Sequence, residues 1–124
     1  MSQLRKSILV VDDNKGVRNL MAELLEREGH RVLTAADARA AMDIAFGSRL
    51  DLLVTDVGLP GMSGIDLAAQ VGSGYASMPV LFVSGSRATD LGAAARDLDL
   101  LEKPFTPDAF LDAVRRALEN RRVR

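Results

Sequence analysis

Apolar residues in this chain gather into short, nearly unbroken runs, separated by stretches where they recur every three or four positions. The runs Ile8–Val11, Leu50–Thr55 ("LDLLVT"), Val80–Val83 and Leu98–Leu101 are largely apolar and only four to six residues long. Such runs predict strands buried on both faces, as in a parallel sheet. A weaker run, Arg31–Ala35, predicts a fifth. Helical spacing fills the intervals. Asn14 is placed to cap a helix carrying Val17, Leu20, Met21, Leu24 and Leu25, and Gly29 to end it. Asp37 opens an Ala-rich segment closing at Gly47, and Ser63 opens one running through Leu67 to Val71. Thr106 followed by Pro107 starts a last helix with Phe110, Leu111, Val114 and Leu118. No internal repeat, low-complexity tract or linker interrupts the series.

Strand and helix alternating in units of about 25 residues imply βαβ units with right-handed crossovers, hence an α/β fold with a doubly wound parallel sheet. Such sheets bind ligands at the carboxyl ends of their strands, near the point where strand order reverses. The fold class therefore says where to look for chemistry.

Composition restricts the setting. A length of 124 residues is that of one domain with an adequate core. The apolar content of 48% and charged content of 27% fit a soluble globular protein. A net charge of −1 gives no reason to expect nucleic acid or an anionic membrane as partner. Without cysteine, disulfides and thiolate chemistry are excluded. "MSQLRKS" leads into an apolar run too short for a signal peptide, and no stretch suffices to span a bilayer. Residues 1–124 are expected to form one cytoplasmic domain with no output domain. The closing "RRALENRRVR", with Arg115, Arg116, Arg121, Arg122 and Arg124, reads as the solvated end of the last helix, where cations are favourable. His30, the single histidine, is expected at the surface beside a helix end.

The strand ends carry the chemistry. The first run leads into Asp12-Asp13, the third strand ends in Asp56 within "VTDVGLPG", the fourth in Ser84-Gly85, and the fifth in Lys103-Pro104-Phe105. Each group taken singly fits a turn, a cap or a surface charge. Together they set three carboxylates, a hydroxyl and an ammonium on one edge of one sheet. Two unit charges 4 Å apart repel by about 4 kcal/mol at an effective dielectric of 20. The acidic pair therefore calls for water or a cation.

In this order the residues resemble the receiver domain of two-component response regulators, over almost the whole chain. The resemblance implies a flavodoxin-like fold with five parallel strands in the order 2-1-3-4-5 and about five helices. It implies a phosphorylation-controlled switch that catalyses its own phosphoryl transfer and dephosphorylation, rather than an enzyme with a separate substrate. By resemblance, Asp56 accepts a phosphoryl group from a histidine kinase or a histidine phosphotransfer protein. Asp13 and Asp56 bind Mg²⁺ directly, Asp12 acts mainly through bound water, and the Gly58 carbonyl supplies a further ligand. Ser84 hydrogen-bonds a phosphoryl oxygen and Lys103 pairs with it. The physical chemistry agrees: Mg²⁺ prefers oxygen ligands with few carboxylates, and phosphoryl transfer needs in-line positioning and charge neutralisation around a nucleophile such as Asp56.

Leu100 stands where receivers commonly carry an aromatic residue, so a switch is expected to run through residues 85–97 instead. Leu91 is the only large apolar residue between Arg87 and Asp97 there, which predicts a low opening free energy. Three rivals are weaker. A Mg²⁺-dependent phosphatase with an aspartyl nucleophile usually places a second aspartate where this chain has Gly58. A receiver-like module working without phosphate would not need the full acidic, hydroxyl and lysine set. A nucleotide hydrolase would need a G-x-x-x-x-G-K-[ST] loop, which is absent.

Overall fold

The computed structural model describes residues 5–72, 78–85 and 99–119. Five strands alternate with helices: β1 (Ser7–Val11), α1 (Lys15–Arg27), β2 (Arg31–Ala35), α2 (Ala38–Gly47), β3 (Leu52–Asp56), α3 (Gly64–Gly72), β4 (Val80–Ser84), β5 (Asp99–Glu102) and α4 (Pro107–Glu119). The strands form one sheet in the order β2-β1-β3-β4-β5. Every neighbouring pair is parallel, with Val11 opposite Ala35 and Thr55, Asp56 opposite Val83, and Ser84 opposite Glu102. This is the expected doubly wound sheet. Four helices lie among the described residues. The helix and the switch stretch expected between the last two strands fall largely in residues 86–98, as does Leu98, the first residue of the last apolar run, and Arg121, Arg122 and Arg124 fall in 120–124, outside the described residues.

Side-chain alternation along the central strands feeds two cores. Ile8, Val10, Leu52, Val54, Leu81 and Val83 pack on one face against α1 and α4, through Met21, Leu25, Phe110 and Val114. Leu9, Val11 and Leu53 pack on the other against α2 and α3, through Ala41, Ala45, Leu67 and Val71. Two buried faces explain why the inner strands read as unbroken apolar runs.

Helix starts are made by the side chains the sequence offers. Asn14 Oδ1 accepts from Val17 N at 3.0 Å, Asp37 Oδ1 from Ala40 N at 2.8 Å, Ser63 Oγ from Asp66 N at 3.0 Å, and Thr106 Oγ1 from Ala109 N at 3.1 Å. Each satisfies an amide that the first helical turn leaves without a partner. The third strand begins later than the apolar run suggests. Asp51 exchanges two bonds with Ser7, N to O at 2.7 Å and Oδ2 from N at 2.8 Å, and so serves as the lead-in to β3. Leu50 still packs into the core. Arg115 likewise is more than a solvated cation: it bonds Glu28 at 3.0 Å, tying α4 to the end of α1. An exposed pair of this kind is screened by solvent and adds little to stability. Among the described residues, no helix is long and apolar enough to cross a membrane.

Two local devices hold the ends of the sheet. At the carboxyl end, the Gly64 amide that opens α3 donates to Val57 O at 2.7 Å. This brings the helix so close that a Cβ on Gly64 would lie 2.0 Å from the Asp56 carbonyl oxygen. At the opposite end, His30 is half-buried, and its Nδ1 accepts the Lys6 amide at 3.2 Å. Burial lowers the His30 pKa and Lys6 adds to this, against the opposing charges of Glu28 and Asp51.

Both devices generate tests. Gly64→Ala is expected to cost about 1–3 kcal/mol in urea unfolding, as overpacking does. Gly58→Ala, which meets nothing within 4 Å, should stay within about 0.5 kcal/mol of the parent. Because folding depresses the His30 pKa, the unfolded chain binds the proton more readily. Stability is then full above the ordinary histidine value of about 6.5 and falls as pH drops through it. Melting temperatures from pH 7.5 to 5.5 should show this slope, and His30→Asn should flatten it.

Candidate functional site

Strand register alone draws the sequence-marked residues together. Asp12 follows Val11 of β1, Asp56 closes β3 beside it, Ser84 closes β4, and Lys103 follows β5. Alternation continued from Val10, Val54 and Leu101 sets Asp12, Asp56 and Lys103 on the face shared with α1 and α4. That common face lets one ammonium reach two carboxylates. Lys103 Nζ donates to Asp12 Oδ2 at 2.8 Å and to Asp56 Oδ2 at 3.3 Å.

Backbone contacts set these groups in place. The Lys103 amide donates to the Ser84 carbonyl at 2.7 Å, fixing the end of β5 against the end of β4. Beyond it, Phe105 stacks on Phe110 with ring centroids 5.3 Å apart, anchoring the loop into the core. Asp12 Oδ1 accepts from Asn14 N at 2.8 Å, and Asp56 Oδ1 from Gly58 N at 3.2 Å. Asp12 is fully buried, Asp56 and Ser84 nearly so, and Asp13 is exposed.

The electrostatics follow from burial and count. Burial by itself lowers the Lys103 pKa, but the hydrogen bond and charge of Asp12, followed by those of Asp56, outweigh it and hold the ammonium above its ordinary value. Ligand oxygens of Asp12, Asp13 and Asp56 all lie within 4.8 Å of one another. Three carboxylates facing one ammonium leave two formal negative charges uncompensated. An all-oxygen donor set with that excess suits a hard divalent cation such as Mg²⁺. Gly58 is exposed on the loop after β3, with its amide turned to Asp56.

Every sequence-marked residue thus reaches one sheet edge. Leu100 sits on β5 opposite Phe82, half-buried. Sequence reasoning missed Arg18, whose Nη1 donates to the Asp12 carbonyl at 2.9 Å. Its position one turn into α1, facing the acidic turn, was the available signal. It also missed Gly64, which "VGLPGMSG" conceals among other glycines.

Comparison with known proteins agrees with this geometry. The family model for the response regulator receiver domain matches residues 8–115. The chain is 35% identical to the C4-dicarboxylate transport transcriptional regulatory protein DctD of Pseudomonas aeruginosa, over 94% of this chain but 26% of that protein. It is 31% identical to sporulation initiation phosphotransferase F of Bacillus subtilis, over 93% of this chain and 95% of the relative. Among solved structures, the chemotaxis response regulator CheY4 of Vibrio cholerae superposes with a TM-score of 0.83 at 30% identity, covering 92% of this chain and 99% of that one. NtrX of Brucella abortus gives 0.85 at 33% identity, over 94% of this chain and 27% of that one. The chain belongs to the response regulator receiver domain family of two-component systems.

The Lys103 bridge can be tested without any ligand. Lys103→Met leaves the buried Asp12 carboxylate without its ammonium, and is expected to cost about 1–3 kcal/mol in urea unfolding without divalent cations. In an Asp12→Asn background the same change should cost clearly less. Equal costs in the two backgrounds would show that the pair is not coupled.

Proposed function

We propose that this receiver is a phosphorylation-controlled signalling switch in which Asp56 accepts a phosphoryl group from a phosphohistidine, on a histidine kinase or a histidine phosphotransfer protein. The observation that carries this reading is the single ammonium of Lys103 lying 3.3 Å from Asp56 Oδ2, inside a three-carboxylate cluster at the carboxyl edge of the sheet. An Asp56 oxygen attacks phosphorus, the P–N bond to the donor histidine breaks, and its electron pair remains on the imidazole nitrogen.

Asp12, Asp13, Asp56 and the Gly58 carbonyl would hold Mg²⁺, which neutralises charge on the transferring phosphoryl oxygens. Lys103 is already at the Asp56 carboxylate and supplies a second positive charge, while Ser84 contributes a hydroxyl at the adjoining strand end. Gly58 presents no side chain two residues after the acceptor. Water attack on the phosphoryl-aspartate then returns the carboxylate and releases inorganic phosphate. Phosphorylation takes Asp56 from one negative charge to about two and adds acceptor oxygens. That change falls where the ends of β3, β4 and β5 meet.

The test is intact-mass measurement after incubation with acetyl phosphate. The protein is expected to gain one phosphoryl group with Mg²⁺ and none with excess chelator, and Asp56→Asn to gain none in either. Equal labelling of the Asp56→Asn variant would remove Asp56 from the role.

A further inference from the structure

Two of the three clustered carboxylates are held directly and one is not. Asp12 is fixed by the Asn14 amide and by Lys103, and Asp56 by the Gly58 amide and by Lys103. The Asp13 side chain has no hydrogen bond or ion pair among the described residues, and it is exposed. Its place within 4.8 Å of the other two is therefore inherited from the backbone that carries it.

That backbone is gripped at one point by a charged side chain. Arg18 Nη1 donates at 2.9 Å to the carbonyl of Asp12, which belongs to the peptide unit joining Asp12 to Asp13. Arg18 is itself rooted, because its amide closes the first helical bond of α1 onto Asn14 O at 2.9 Å. Its guanidinium makes no ion pair among the described residues. From this geometry we infer that Arg18 is a positioning residue: by holding the Asp12–Asp13 peptide it fixes where Asp13 presents its carboxylate to the cation. The inference rests on the proposed Mg²⁺ site and adds a residue to it.

Charge and position make opposite predictions, so they can be separated. A guanidinium beside a cation site repels the cation, and removing it for that reason alone would tighten binding. Loss of a group that orients a metal ligand typically weakens binding by about 10- to 100-fold. The experiment is Mg²⁺ titration of ¹⁵N-labelled protein at 25 °C, following the amides of Asp13 and Asn14, with circular dichroism confirming that each variant is folded. Arg18→Met is expected to raise the Mg²⁺ Kd about 10-fold and to shift the metal-free Asp13 amide resonance. Arg18→Lys keeps the charge but offers a point donor in place of a planar fork, and should recover part of the affinity. Unchanged or tighter binding in a folded Arg18→Met variant overturns the inference while leaving the metal site standing. If the parent protein shows no Mg²⁺ response, or Asp13→Asn responds as the parent does, the metal-site reading itself falls and the inference with it.

Discussion

Lys103 spreads one ammonium over two carboxylates from two different strands, and much of the local architecture serves that contact. A fully buried carboxylate such as Asp12 needs a partner, because an unpaired charge in a protein interior carries a desolvation penalty of several kcal/mol. The partner arrives from the far end of the chain, and only the order β1-β3-β4-β5, with its side-chain alternation, brings it to the right face. The Ser84–Lys103 backbone bond and the Phe105–Phe110 stack then leave the lysine little freedom to point elsewhere. Compensation stops short of neutrality, since Asp13 adds a third carboxylate to the same locus. The fold holds the cluster together, yet leaves an unmet electrostatic demand at the carboxyl end of the sheet.

Features set by short-range chemistry were legible in the sequence. The cap residues Asn14, Asp37, Ser63 and Thr106 each bond the amide three positions on, as local backbone geometry requires. Both-face burial made the inner strands conspicuous, while β2, at an edge of the sheet, is only partly covered. The acidic pair was legible as a problem of repulsion. That Lys103 already supplies a cation there needed the register of four strands.

What could not be read depended on contacts between distant or unremarkable residues. Arg18 looks like any helix surface arginine until α1 is docked and its side chain turns back to the acidic turn. Gly64 matters because of how close α3 comes to the end of β3, a tertiary distance with no local signature. His30 was placed correctly beside a helix end, but its bond to the Lys6 amide joins residues 24 positions apart. Asp51 displaced the start of β3 because a side chain competed with the ladder for the Ser7 amide. In each case a side chain bonds or crowds backbone that the sequence pattern treats as already accounted for.

The two outer strands differ from the inner ones in a way that bears on colloidal behaviour. Among the described residues, β2 and β5 each pair on one side only, and such rims can template intermolecular pairing. β2 opens on exposed Arg31 and carries exposed Thr34, while β5 is four residues long and bounded by exposed Asp99 and Glu102. Short length and charge at the rim discourage a second copy from adding its own strand. The chain is thereby protected against fibrous self-association, and the protection comes from residues outside the carboxylate cluster.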